Sequence, residues 1–162
     1  MSTLHTIMRR SLIVISEDAT VEQAIALARS EHLHHLPVVR GATVVGLVCT
    51  CDLASAALER PVELVMSHPA VALQPAATLL DAALAMNEHD VGSVVVMEGG
   101  SARGIVTRGD LLLARPELED VLGKARCSCC GLTRHLRTDE HGDTLCVYCL
   151  EPGGDGLAAD LI

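Results

Sequence analysis

An ungapped shift of 58 residues lays the first third of the chain on the second, setting Gly46-Leu47-Val48-Cys49-Thr50-Cys51-Asp52-Leu53 on Gly104-Ile105-Val106-Thr107-Arg108-Gly109-Asp110-Leu111. The same shift pairs Met8 with Met66, Ala19-Thr20 with Ala77-Thr78, Ala24 with Ala82, and His35-Leu36-Pro37-Val38-Val39 with Ser93-Val94-Val95-Val96-Met97. Self-similarity at a fixed period means that one supersecondary unit occurs twice, and this restricts the architecture before any single motif is read.

Each copy presents the same signals in the same order. A short apolar segment (Leu12-Ile13-Val14-Ile15; Ala70-Val71-Ala72-Leu73) predicts a strand and leads to a helix start, Thr20-Val21-Glu22-Gln23 in copy one and Thr78-Leu79-Leu80-Asp81 in copy two. A threonine hydroxyl at the N-cap accepts from the backbone N–H three residues on, while the Gln or Asp there reaches back, which makes a capping box. Val21, Ala24, Ile25 and Ala28 then share one helical face, as do Leu79, Ala82, Ala83 and Met86. Two apolar runs follow, Pro37 to Val39 and Val44 to Val48, separated by the hairpin punctuation Arg40-Gly41-Ala42-Thr43. Copy two repeats this with Val94 to Met97, the turn Glu98-Gly99-Gly100-Ser101, and Gly104 to Val106. A second helix is predicted from about Cys51 to Glu59 and from about Gly109 to Ala114, Pro116 ending the latter. The unit is β-α-β-β-α, twice, and the fold class is α+β.

This order, with its Gly-h-h-Thr-x-x-Asp strand-to-helix junction, resembles the CBS domain (cystathionine β-synthase domain), and the tandem resembles a Bateman module over residues 1 to about 115. The resemblance implies two pseudo-symmetric repeats packed as one module. It further implies clefts that take adenosine-containing ligands such as AMP, ADP, ATP or S-adenosylmethionine, a regulatory role without chemistry, and pairing into a homodimer. The expected divisions are residues 1–58 for repeat 1, 59–118 for repeat 2, and 119–162 for a zinc ribbon and C-terminal tail.

The junction residues support a ligand site on their own chemistry. Gly104 leaves room for close approach to backbone, Thr107 offers a hydroxyl at the strand end, Arg108 reaches toward a phosphate, and Asp110 is an acceptor for ribose hydroxyls. Thr107 and Asp110 also fit a capping box, so a purely structural role stays open from the residues alone. By resemblance, Ala70, Val71, Val91 and Ser93 lie at the mouth of the same site. Copy one keeps Asp52 but has Cys49 in place of Thr107 and Cys51 in place of Gly109. A thiol is a weak donor, so one competent nucleotide site is expected, on copy two. Arg9, Arg10, His68, Arg103 and Arg108 are the cations available for a local positive mouth.

Most of the cysteines lie beyond the repeats. Cys127 and Cys130, then fifteen residues, then Cys146 and Cys149 give C-x2-C twice. Two such knuckles joined by a hairpin, its tip at Asp139 to Asp143, bring four thiolates to a tetrahedron, the pattern of a four-cysteine zinc ribbon. A closed four-sulfur set makes the metal structural, with iron the alternative ion. Arg134, His135 and Arg137 offset the thiolate charge, and Cys129 is read as a non-ligand. Met1 to Arg10 show no signal-peptide pattern, which argues for reduced thiols and a cytoplasmic protein. The histidines of Glu31-His32-Leu33-His34-His35 fall where the first helix ends, a position that its dipole favours, so they are not read as a metal site.

A formal net charge of −9 and a single aromatic residue, Tyr148, argue against nucleic acid as a partner. No apolar run is long enough to span a bilayer. Pro116 to Leu122 reads as a short helix with proline in its first turn. The leading expectation is a non-catalytic regulator that senses an adenosyl ligand and signals through the ribbon to a protein partner. The alternative is a cysteine-based redox or metal sensor in which the repeats only dimerise.

Overall fold

Both capping boxes form, and they set the element order. In the computed structural model, which describes residues 1–122, 127, 136–138 and 144–146, the chain runs α1 (Leu4–Ile7), β1 (Ile15–Ser16), α2 (Val21–Glu31), β2 (His35–Arg40), β3 (Thr43–Cys49), α3 (Thr50–Ala54), β4 (Ala72–Leu73), α4 (Leu79–His89), β5 (Ser93–Glu98), β6 (Ser101–Thr107), α5 (Arg108–Ala114), α6 (Glu119–Leu122), β7 (Leu136–Thr138) and β8 (Thr144–Cys146). The Gln23 N–H donates to Thr20 Oγ1 (3.2 Å) and the Thr20 N–H to Gln23 Oε1 (2.9 Å), which starts α2. Thr78 and Asp81 exchange the same two bonds at the start of α4 (3.1 and 2.8 Å). Both helices end at a left-handed residue, His32 (φ 54°) and Asp90 (φ 52°), so His32 serves as a helix stop.

Each repeat builds a three-stranded sheet, β1-β2-β3 and β4-β5-β6, whose first pair is parallel and second antiparallel. The hairpins turn through Gly41 (φ 60°) and through Gly99 and Gly100 (φ 57° and 80°), values that glycine adopts without strain. β1 is shorter than the apolar run that predicts it, because the Leu12 N–H turns back onto the Arg10 carbonyl and pairing begins at Ile15. The helix expected to reach Glu59 stops at Ala54. The residues beyond it serve α2 instead: the Val21 N–H donates to the Arg60 carbonyl (2.8 Å) and the Glu22 N–H to the Leu58 carbonyl (3.0 Å). The Pro116 helix appears as a one-turn 3-10 segment, Pro116–Leu118, followed by α6.

Two compact units form, and neither is continuous in sequence: unit 1 is Met1–Leu12 with Ala70–Lys124, and unit 2 is Ile13–Pro69 with Ala125–Ile162. In unit 1 the leading segment packs onto copy two. Leu4 and Met8 join Leu79, Met86, Val94, Val96, Val106 and Leu111 in its core. The Leu4 N–H donates to the Ala77 carbonyl (2.9 Å), and Arg9 and Ile105 exchange both backbone bonds (2.9 and 3.1 Å). In unit 2 the segment that precedes copy two does the same for copy one, with Val62 in the core and Leu47 and Ser67 exchanging bonds (2.9 and 2.8 Å). Gly104, read as room for a ligand, is where the leading segment of unit 1 passes: a Cβ there would lie 2.8 Å from the Arg9 carbonyl oxygen.

Two carboxylates tie the fold to pH. Arg40, bonded to Glu17 (Nη2 to Oε2, 3.0 Å), holds that carboxyl below its ordinary 4.5, and the Thr78 N–H and hydroxyl hold Asp81 below its ordinary 3.8. A carboxyl depressed by folding adds stability above its unfolded value and loses it as pH falls through the folded one. Thermal midpoints are therefore expected to decline below about pH 4.5, and to decline less steeply in a Glu17→Gln, Asp81→Asn variant. An equal slope in the two proteins would show that neither group carries the effect.

Candidate functional site

The residues proposed for ligand contact on copy two gather at one end of the unit 1 sheet. Ser93 begins β5 and faces Thr107, the last residue of β6, across the ladder. Ala70 and Val71 lead into β4 beside them, and the Val71 carbonyl accepts from the Val95 N–H (2.9 Å). Val91 closes the turn out of α4, with its N–H on the Met86 carbonyl (3.0 Å). Arg108 opens α5, its N–H donating to the Gly92 carbonyl (2.9 Å).

Thr107 and Asp110 do form a capping box: the Asp110 N–H donates to Thr107 Oγ1 (3.2 Å) and the Thr107 N–H to Asp110 Oδ2 (2.9 Å). The other carboxylate oxygen, Oδ1, takes two bonds from Arg9, from Nε (3.2 Å) and Nη2 (3.0 Å). A ribose diol at Asp110 would therefore have to displace Arg9, whose side chain is 57% exposed and free to move into solvent. Ser93 differs in kind. Only 2% of it is exposed, and its hydroxyl has no hydrogen-bond partner among the described residues. A buried hydroxyl left unpaired costs about 1–3 kcal/mol. The positive mouth is smaller than the count of cations suggests. Arg9 is paired with Asp110 and Arg103 with Glu98 (3.3 Å), while Arg10 bonds His5 (3.0 Å to Nε2). A separate cavity of about 380 Å³ in unit 1, lined by His5, Met8, Arg10, Pro75, Glu98 and Arg103, holds none of the proposed contact residues.

Asp52 belongs to unit 2, at the position matching Asp110. There the cap is a thiol: the Asp52 N–H donates to Cys49 Sγ (3.4 Å) and the Cys49 S–H to Asp52 Oδ2 (3.2 Å). Sulfur bonds of this length are weak, and α3 runs for only five residues.

Two of the four expected metal ligands are described, Cys127 and Cys146, both fully buried. Cys130 and Cys149 lie outside the described residues, as do Cys129, Arg134, His135 and the hairpin tip. β7 and β8 pair antiparallel, Leu136 with Cys146 and Thr138 with Thr144, and Arg137 is exposed on β7. Among the described residues no three His, Cys, Asp or Glu side chains are arranged to hold an ion. The two buried sulfurs are soft donors, of the kind that zinc takes. Cys127 and Cys146 share their cluster with Cys51 of copy one, a residue the cysteine spacing did not flag. The signal was its departure from Gly109 in the repeat alignment.

The CBS domain family profile matches the chain twice, over residues 4–59 and 62–117. The chain belongs to the CBS domain family. Outside these two CBS repeats the profile leaves residues 118–162 unmatched. A Methanocaldococcus jannaschii relative, the uncharacterized protein MJ1404, is 32% identical over 126 residues, covering 65% of this chain and 30% of the relative. The CBS domain pair of protein MJ0100, solved with 5′-methylthioadenosine and S-adenosyl-L-methionine, superimposes with a TM-score of 0.67 at 19% identity, covering 74% of this chain and 99% of that one. CBSX2, solved with AMP, superimposes with a TM-score of 0.61 at 24% identity, covering 73% and 98%. Both similarities establish the CBS-pair fold. Among the described residues no helix is long and apolar enough to cross a membrane.

Proposed function

We propose that this CBS protein is a non-catalytic regulator that binds one adenosyl ligand per chain, an adenine nucleotide or S-adenosylmethionine, at the end of the β4-β5-β6 sheet. The unpaired, buried hydroxyl of Ser93 carries the reading, with Thr107, Arg108 and Asp110 around it. Adenosyl ligands in the structures of MJ0100 and CBSX2 support the class. The thiol cap at Cys49 and Asp52 is the reason for expecting a single strong site. Signalling requires that the ligand bind two arrangements of the protein unequally. Leu80 and Leu84, exposed one turn apart on α4, support a homodimer paired through helices. The C-terminal cysteines hold a structural zinc, with iron as the alternative ion, and present a protein partner with the ribbon.

Ser93→Ala tests the site cleanly because it removes no hydrogen bond seen among the described residues. Its thermal midpoint is expected to hold or rise, while affinity for the best of AMP, ADP, ATP and S-adenosylmethionine falls about three- to tenfold, the worth of one hydrogen bond. Calorimetry should give one equivalent per chain. Asp110→Ala is a poorer probe, since it also removes the α5 cap and the Arg9 pair. Unchanged affinity in Ser93→Ala, or two equivalents per chain, would refute the assignment.

The convergence of Cys49, Cys51, Cys127 and Cys146 in one cluster favours a second reading, a thiol-based redox or metal sensor. Reversible metal release under mild oxidation, with no response to any adenosyl ligand, would select it.

A further inference from the structure

Arg9 reaches Asp110 from a fixed root. Its backbone exchanges both bonds with Ile105 (2.9 and 3.1 Å), two residues before Thr107, so the side chain swings about a held backbone. From there the guanidinium sets Nε and Nη2 on Asp110 Oδ1 (3.2 and 3.0 Å), while Oδ2 accepts from the Thr107 N–H (2.9 Å). The Asp110 side chain is 13% exposed against 57% for Arg9, so the carboxylate is enclosed and the cation is the partner able to move. The repeat supplies a comparison. The 58-residue shift sets Ser67 on Arg9, and Ser67 makes the same two backbone bonds, to Leu47 (2.9 and 2.8 Å). Both units therefore have the bridge and the aspartate, Asp52 or Asp110, and only in unit 1 does the bridge residue carry a charge.

We propose that Arg9 is the specificity-determining residue of the copy-two site: in the free protein it occupies the carboxylate that a ribose diol needs, and on binding it passes to the ligand, so that the site selects anionic adenosyl ligands over neutral and cationic ones. This rests on the adenosyl reading above and narrows it to an adenine nucleotide. A diol that donates to Asp110 has to take over Oδ1, since Oδ2 holds the α5 cap. That step releases the guanidinium, two of whose five N–H donors were spent on Oδ1. A phosphate restores the ion pair, because the planar fork matches two phosphate oxygens at once. Adenosine has no anion to give in exchange, so its binding bears the loss of the pair. S-adenosylmethionine carries a sulfonium and a zwitterionic tail, a net positive charge beside the released arginine. In unit 2, with serine at the bridge, this selection is absent.

Calorimetric titration of the full chain with AMP, adenosine and S-adenosylmethionine tests the assignment. The unmutated protein is expected to bind AMP about tenfold or more tighter than either of the others, the worth of a hydrogen bond to a charged group. In Arg9→Gln, adenosine should bind about two- to fivefold tighter, because an exposed ion pair no longer competes for Asp110. The preference for AMP over adenosine should fall about tenfold or more in the same variant. Arg9→Lys, which keeps the charge without the fork, should retain part of that preference. A merely structural role would move all ligands alike, so equal shifts for AMP and adenosine in Arg9→Gln overturn the proposal. So does S-adenosylmethionine that binds the unmutated protein as tightly as AMP, and either result leaves the adenosyl reading standing. No binding of any of the three overturns both. If the variants do not fold, the Arg9 Nε–H signal in a 1H–15N spectrum of the unmutated protein decides: AMP should shift it, adenosine should expose it to exchange with water, and a signal that neither ligand alters refutes the transfer.

Discussion

Removing the first ten residues is expected to melt repeat 2, although the deletion lies some sixty residues from it in sequence. Leu4, fully buried, and Met8, 8% exposed, belong to the core of unit 1. At about 1.5–3 kcal/mol for each large apolar side chain, their loss costs about 3–6 kcal/mol. The Leu4, His5 and Arg9 bonds to Ala77, Pro75 and Ile105 are lost with them. Set against the 5–15 kcal/mol typical of a whole domain, the loss should lower the unit 1 midpoint by roughly 10–30 °C or abolish its transition. Leu4→Ala should fall between, at about 2–5 kcal/mol. Thermal melts of the three proteins by circular dichroism would show the series, and an unchanged midpoint in the truncated chain would exclude the leading segment from the unit.

Gly104→Ala should destabilise by about 1–3 kcal/mol, the range for overpacking a filled interior. The new methyl group would sit 2.8 Å from the Arg9 carbonyl oxygen and 3.0 Å from Met8 Cγ, and the carbonyl is held in a paired bridge that resists retreat. Gly46→Ala meets the same obstacle in unit 2, with the Ser67 carbonyl oxygen at 2.8 Å and Met66 Sδ at 2.5 Å. Gly109→Ala is the internal control. A Cβ there would make only an ordinary van der Waals contact, with Thr107 Oγ1 at 3.7 Å, in helical geometry, so it should be neutral or stabilising by up to about 1 kcal/mol. Urea denaturation of the three variants would sink the argument if Gly104→Ala and Gly109→Ala shifted alike.

What could be read in advance was whatever is encoded locally. Thr20 with Gln23 and Thr78 with Asp81 are signals that lie three residues apart, and both caps formed as read. The hairpins announced themselves through Gly41 and Gly99-Gly100 for the same reason. The destinations of α1 and of Val62–Leu64 were not legible, because one turn of helix carries no periodicity and its partner lies far along the chain. The shortened α3 has the same origin, since the demand for the carbonyls of Leu58 and Arg60 comes from the first turn of α2. At the site, Thr107 and Asp110 were visible as a motif, but the Arg9 pair and the unmet hydroxyl of Ser93 exist only once residues remote in sequence converge. Cys51 was conspicuous in the repeat alignment, yet its partner lies 95 residues away.

The interleaving of the units also sets a schedule for synthesis. Unit 1 contains Met1–Leu12, which leaves the ribosome before all of copy one, yet its core is complete only when Leu118 and Leu122 have followed. At 5–20 residues per second the leading segment waits about 5–20 s for the groove it fills. A neighbouring chain on the same message offers that groove sooner, so the exchange that completes one molecule in isolation is also a route to segment-swapped pairs when translation is dense.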